Sequence, residues 1–237
     1  MKLNEKKTTN MIFNFTKDHQ FTTEIVLKNE KLETLEQTKL LGVIITNDLK
    51  WHENTKHIVK KANKKMAMLH RFSKFTKNRS HLLHLFKTQV RGCLEYCSTV
   101  WHSGLTDADS KDIERIQRAA MRVVMGNKYE GYDEALKLMK LDSLKQRRER
   151  MALKFAQKSL KQEKFSRLFP LYNSKHGMKK RSPKKYVVNH SNTERYRKSA
   201  VPYLQRLLNK DFSRKKNDLK SLLQVNNDIV NNIPITY

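Results

Sequence analysis

The sequence predicts an α+β chain, with a small antiparallel sheet remnant at the N-terminus followed by a mostly α-helical, basic bundle. Three observations carry that expectation. The first fifty residues hold short runs rich in Phe, Thr, Ile and Val with turn residues between them, which is strand composition. From Asn54 onward the apolar residues recur at steps of three and four, which is helix periodicity. Lysine and arginine number 50 against 23 aspartates and glutamates, a formal charge of +27.

Taken in order, Met11 to Phe15 is a short apolar run, and Phe21 to Leu27 reads as a strand. Asn29–Glu30 makes a turn before Lys31 to Leu35, and Leu40 to Thr46 reads as a further strand with Gly42 inside it. A glycine there marks a bend or a close approach of backbone. Three or four strands without a covering layer make a poor domain, so residues 1–52 are expected to be the edge of something larger, cut off at Met1.

A helical domain is expected over 53–169. Its first helix aligns Ile58, Ala62, Met66, Leu69, Phe72 and Phe75, with Lys60, Lys64 and Arg71 pointing elsewhere. A second helix, Arg79 to Cys97, carries Leu82, Leu83, Phe86, Val90, Cys93, Leu94 and Cys97 at helical steps. After a break at His102 to Leu105, Thr106 and Asp109 form a capping signature for the third. That helix sets Ile113, Ile116, Ala120, Val123 and Val124 on one side and Lys111, Arg115, Arg118 and Arg122 on the other, and Gly126 stops it. Tyr132 to Met139 is a shorter helix. Ser143 with Gln146 is another capping box, opening a helix to about Leu160 with Arg147, Arg148, Arg150 and Lys154 on its polar side.

Residues 170–237 read as a basic, partly disordered extension. Lys175 to Lys185 is a basic loop, suited to phosphate contact or to a nuclear localisation patch, and Ser199 to Leu208 is a short helix with Pro202 near its start.

The charge excess is more than solubility needs and points to a polyanionic partner. Nucleic acid comes before anionic lipid, because no strongly apolar amphipathic segment is evident. A merely solvated basic surface is the bland alternative. No run approaches eighteen apolar residues and no signal peptide opens the chain, so the expectation is a nuclear or cytoplasmic protein, neither secreted nor transmembrane. Cys93 and Cys97, one turn apart, read as buried small hydrophobes rather than as metal ligands or a disulfide framework. Asp107, Asp109 and Asp112 lie where a helix start favours negative charge, and Glu95 reads as the partner of Arg91 four residues before it. No phosphate-binding loop, dinucleotide fingerprint or nucleophile elbow occurs, and no metal site or cofactor is expected in the chain itself.

Several linked pieces carry a family likeness. These are Met1 to Thr8 (MKLNEKKT), Met11 to Phe13, Lys39 to Thr46 (KLLGVIIT) with Asp48 to Trp51, Val90 to Tyr96 (VRGCLEY) leading to Val100 and Trp101, Ile113 to Ala119, Val123 to Gly126, and Leu141 to Glu149 (LDSLKQRRE). In this order the chain resembles the end of the palm, the thumb and the post-thumb region of reverse transcriptases of non-LTR, LINE-type retrotransposons, jockey-like elements in particular. The likeness covers Met1 to about Phe169 and extends weakly to Leu208.

That resemblance implies an RNA-directed DNA polymerase. Asn4 and Lys7 would match the palm motif whose lysine assists nucleotide addition. Leu41, Gly42 and Val43 would match the turn that grips the primer terminus, and the helices from Asn54 would close over the template–primer duplex. The aspartates that hold two Mg²⁺ ions in the family enzyme are not in this sequence, so the chain is expected to be inactive by itself. The expected nucleic-acid-binding residues are Lys60, Lys64, Arg71, Lys111, Arg115, Arg118, Arg122, Arg147 and Arg148. Expected partners are RNA, DNA or an RNA–DNA duplex, together with the palm and fingers of the family. The alternatives are a stand-alone helical RNA- or DNA-binding protein and a helical protein-interaction module.

Overall fold

The computed structural model describes residues 8–15, 24–28, 30–172 and 185–231, with side chains up to residue 218. It has the expected α+β character, with strands confined to the N-terminal stretch and helices thereafter. The strands pair as two separate hairpins. β1 (Val26–Leu27) pairs antiparallel with β2 (Glu30–Lys31), and β3 (Gln37–Leu40) with β4 (Val43–Thr46). The stretch from Leu40 to Thr46, read from sequence as one strand, turns back on itself. Leu41 and Gly42 both have positive φ, 47° and 89°, between the paired residues Leu40 and Val43. Two such residues in a two-residue loop match the right-handed twist of the flanking strands. Met11 to Phe15 forms no strand, and Asn10 makes a single bridge to Thr34.

The helix α1 (His52–Phe75) buries Asn54, Thr55, Ile58, Ala62, Met66 and Leu69. Phe72 and Phe75, expected on the same line, are 42% and 88% exposed, because nothing packs over the helix's last turn. Asn78 caps α2 (Arg79–Leu85) by accepting from the N–H groups of Ser80 and His81. The expected single helix to Cys97 is interrupted: the chain widens into a π-helical turn at Phe86–Arg91, resumes as α3 (Gly92–Glu95), and breaks at Cys97, which is left-handed with φ 50°. A short α4 (Ser98–Trp101) and a 3₁₀ turn at His102–Gly104 follow. A Cβ at Gly104 would stand 2.5 Å from the Trp51 indole, so only glycine lets that ring close over the turn.

The helix α5 (Asp107–Met125) begins at the expected capping box and buries Ile113, Ile116, Gln117, Ala120, Met121 and Val124. After α6 (Tyr132–Leu138), the second expected box opens α7 (Leu144–Ser159). Ser143 Oγ accepts from the Gln146 N–H at 3.2 Å, and Gln146 Oε1 accepts from the Ser143 N–H at 3.1 Å. Glu114 of α5 adds a carboxylate at the same helix start, accepting from the N–H groups of Leu144 and Lys145 at 3.0 and 3.3 Å. Beyond lie α8 (Glu163–Ser166), α9 (Glu194–Arg197) and α10 (Ala200–Asn231), the last far longer than the expected Ser199 to Leu208.

Two compact units result, Met1–Arg148 and Glu149–Tyr237. The divisions expected after 52 and after 169 are not where compactness changes. Val43 of β4 lies in the same core as Ile58, Leu69, Phe86, Val90, Trp101, Ile113 and Met121, and Asn54 Oδ1 accepts from the Ile44 N–H at 3.1 Å. That bond ties the β3–β4 hairpin into the helices. The second unit has its own core of Ala152, Ala156, Phe169, Tyr186, Leu204 and Leu208. Among the described residues no helix is long and apolar enough to cross a membrane.

One polar cluster sits inside the first unit. Arg148 is fully buried; its Nε donates to His102 Nδ1 at 3.2 Å and its terminal nitrogen to Ser110 Oγ at 3.3 Å, beneath the Trp101 ring. To accept from Arg148, His102 must be neutral, and burial, followed by the charges of Arg148 and Lys145, holds its pKa at about 4 against an ordinary 6.5. The unfolded chain therefore binds a proton below pH 6.5 that the folded chain refuses until about pH 4. Stability from this residue is complete above pH 6.5 and is lost as pH falls toward 4, by up to about 3 kcal/mol. Denaturant midpoints measured between pH 7 and 4 should fall accordingly. His102→Gln, whose amide oxygen also accepts, should flatten that part of the profile.

Candidate nucleic-acid interface

The exposed flank of α1 is the longest basic line in the first unit. Lys56, Lys60, Lys64 and Arg71 recur at helical spacing and are all exposed. Asp112 of α5 faces Lys60 and Lys64 across a groove of about 550 Å³. The structure thus brings Lys60 and Lys64 together, with Arg71 two turns further along the same flank.

A second basic surface, which the sequence reading missed, lies where α1 meets the β3–β4 hairpin. Lys39 of β3, His57, Lys61 and Lys65 of α1, Gly42 and Tyr96 line a cleft of about 340 Å³. No carboxylate lines it. Burial, and then the charges of Lys39, Lys61 and Lys60, hold the His57 pKa below its ordinary value. Tyr96 sets the hairpin tip: its hydroxyl donates to the Leu41 carbonyl at 3.0 Å, and its ring lies 3.3 Å from where a Gly42 Cβ would be. Of the three residues expected at a primer-gripping turn, Leu41 is 83% exposed at the tip, Gly42 faces the cleft, and Val43 is buried in the core. The spacing of Lys61 and Lys65 is visible in the sequence. Their facing Lys39 is not, since that depends on the hairpin folding back beside α1.

The basic stripe on α5 is exposed as expected, at Lys111, Arg115, Arg118 and Arg122. Its arginines are partly engaged: Arg115 pairs with Asp112, Arg118 lies over the Tyr132 ring at 5.1 Å, and Arg122 over Tyr129 at 5.6 Å. Asp107, Asp112 and Glu114 share the surface with it. This face is mixed in sign and therefore a weaker polyanion site than the cleft of Lys39, Lys61 and Lys65.

Arg147 and Arg148 are corrections. Arg147 makes a two-pronged pair with Glu95, Nε to Oε1 at 2.6 Å and a terminal nitrogen to Oε2 at 3.0 Å, and Glu95 raises its pKa. Arg91, the expected partner of Glu95, pairs with it as well, Nε to Oε2 at 3.8 Å. Arg148 is buried as described and cannot reach a phosphate. Both sit on one turn of α7 that docks against the core, so the polar side read from the sequence faces inward there. Lys7 lies outside the described residues, as do residues 175–184 of the basic loop that ends at Lys185.

His52 was also missed. Its Nδ1 stands 2.8 Å from Asp109 Oδ1, and the other carboxylate oxygen accepts from the Thr106 hydroxyl at 2.6 Å. Burial pushes the Asp109 carboxyl up, but the bonds from Thr106 and His52 outweigh it and hold the pKa below the ordinary value. The capping box thereby doubles as a clip between the starts of α1 and α5. Among the described residues there is no group of three or more His, Cys, Asp or Glu side chains that could hold a metal ion.

Compared with family models, curated proteins and solved structures, the chain matches none.

Arg147→Gln should lower unfolding stability by about 3 kcal/mol, because it strips the partly buried Glu95 carboxylate of its two-pronged partner. Arg148→Gln should lower it by about 1–3 kcal/mol, because the buried His102 and Ser110 acceptors lose their donor and a void opens. Lys60→Gln/Lys64→Gln should stay within about 0.5 kcal/mol of the parent. Urea denaturation of the three variants checks this. An Arg148 variant as stable as the parent would return that residue to the surface.

Proposed function

We propose that the chain is the nucleic-acid-binding, thumb-like part of an RNA-directed DNA polymerase of the non-LTR retrotransposon type, acting in the nucleus or cytoplasm on an RNA–DNA template–primer duplex. The observation that carries this reading is the carboxylate-free cleft where the hairpin tip meets Lys39, Lys61 and Lys65. Lysine ammoniums there neutralise backbone phosphates and release counterions, which gives affinity without sequence preference. The flank of Lys56, Lys60, Lys64 and Arg71 extends the contact along α1, whose 24 residues span about 36 Å. Leu41 and Gly42 present backbone at the end of that track, held in place by Tyr96.

Catalysis is not assigned to these residues. Two-metal phosphoryl transfer requires a set of carboxylates that this sequence does not supply in the family's motif. With a primed RNA template, Mg²⁺ and deoxynucleotides, the chain alone should add no nucleotide.

Fluorescence anisotropy on a 20-base-pair RNA–DNA hybrid across a salt series tests the binding surface. Lys39→Gln/Lys61→Gln/Lys65→Gln should weaken binding and make the salt dependence shallower by roughly 0.9 per lost phosphate contact. Arg115→Gln/Arg118→Gln/Arg122→Gln should change both less. An unchanged affinity and slope in the lysine variant would remove the cleft as the duplex site and favour the protein-interaction alternative.

A further inference from the structure

We propose that the second unit carries a separate site for an unpaired nucleic-acid strand, in a lysine-rimmed cleft between α7 and α10. The cleft has a volume of about 650 Å³; the half-buried Phe212 gives it an accessible ring, above a floor of Leu160 and the core residues Tyr186 and Leu208. Lys154, Lys158 and Lys161 stand along one wall at steps of four and three residues, all exposed. Lys185 completes the rim, its ammonium 5.6 Å from the centre of the Tyr186 ring and 5.7 Å from that of Phe212.

Two features make this a built cleft rather than a charged surface. Asn209 of α10 pins the 185–186 segment: its Oδ1 accepts from the N–H groups of Lys185 and Tyr186 at 3.0 and 2.9 Å, and its Nδ2 donates to the Tyr186 carbonyl at 2.9 Å. Asp211, the one carboxylate in the lining, is already engaged. It accepts from Gln157 Nε2 at 3.1 Å and pairs with Lys215 at 2.8 Å, tying α7 to α10. Among the described residues no carboxylate lies within ion-pairing distance of Lys154, Lys158, Lys161 or Lys185.

Four uncompensated ammoniums around an aromatic lining ask for a ligand with alternating phosphates and flat apolar surfaces. A single strand offers both at once, whereas a duplex stacks its bases away from such a lining. Lys185 is exposed and can leave the Tyr186 and Phe212 rings for a phosphate, since a cation over a ring is a weak contact beside an ion pair. An acidic peptide would satisfy the lysines and leave the rings unused. The site shares with the duplex reading only the class of partner, nucleic acid, and none of its residues.

The test uses the full chain and three labelled probes in anisotropy: a 12-nucleotide oligo-uridylate, the 20-base-pair hybrid, and a poly-glutamate peptide. Lys154→Gln/Lys158→Gln/Lys161→Gln should weaken oligo-uridylate binding at least tenfold and lower its salt slope by about 2, at roughly 0.7 per contact, with hybrid binding nearly unchanged. Phe212→Leu, which keeps an apolar side chain and a folded unit by thermal unfolding, should weaken oligo-uridylate binding at least threefold and leave poly-glutamate binding alone. Unchanged oligo-uridylate binding in the lysine variant overturns the site. So does indifference to Phe212→Leu, which would reduce the cleft to a polyanion patch. Lys39→Gln/Lys61→Gln/Lys65→Gln should do the reverse, losing hybrid and keeping oligo-uridylate, so the two sites fail independently.

Discussion

The first unit depends on a guanidinium that has no contact with water. Arg148 is held by a neutral histidine and an indole face from the adjacent residues His102 and Trp101, where α4 passes into the following turn, and by the Ser110 hydroxyl of α5. Burying such a charge costs several kcal/mol unless its donors are met, so α7 and these two segments are bound to one arrangement. Glu114 and Gln117 continue the network. Glu114 caps α7, and Gln117 Nε2 donates to the Tyr132 hydroxyl and the Asp142 carbonyl, each at 3.0 Å, which fixes the approach to α7. With α5 placed in this way, the clip from Asp109 to His52 sets the start of α1, and the hairpin follows through Asn54.

The positive charge divides by residue type. Arginines are largely used inside the molecule or in local pairs: Arg147 on Glu95, Arg148 in the core, Arg115 on Asp112, Arg118 and Arg122 on tyrosine rings, and Arg197 on Glu194. Lysines supply the acid-poor surfaces, with Lys39, Lys61 and Lys65 in one cleft and Lys154, Lys158 and Lys161 in another. A planar fork suits a fixed partner and tolerates desolvation, while a strongly hydrated ammonium on a flexible stem suits a sliding phosphate contact. A net charge alone does not make that division visible, and it moves the candidate interface from the α5 stripe to the flanks of α1.

What was legible in the sequence is what local spacing controls. Thr106 with Asp109 and Ser143 with Gln146 are three-residue signals, and both helices start where those signals put them. Gly126 ends α5 as expected. Tertiary context decided the rest. Phe72 and Phe75 keep the α1 periodicity, but nothing covers them, and periodicity does not report where a core stops. The reversal at Leu41–Gly42 was hidden because leucine is an uncommon residue at φ 47°, so the run reads as one apolar strand. Glu95 found its stronger partner 52 residues away, beyond any local rule.

The π turn at Phe86–Arg91 shows how one such departure shapes the candidate site. A wider turn adds a residue to the helical path and rotates everything after it by about 100° relative to an uninterrupted α-helix. Phe86 and Val90 are buried within the widened turn itself, and Leu94 is buried after it. On the far side, Tyr96 comes to the hairpin, its hydroxyl on the Leu41 carbonyl and its ring against Gly42, while its own carbonyl accepts from the Trp101 indole at 3.0 Å. An α-helix kept regular from Arg79 would aim that ring elsewhere, and the hairpin tip would lose the contact that holds it beside Lys61 and Lys65. The irregularity in the helix and the position of the exposed turn are therefore one feature. The side chain that joins them lies 55 residues from the turn it holds, on an element whose apolar spacing shows no break in the sequence.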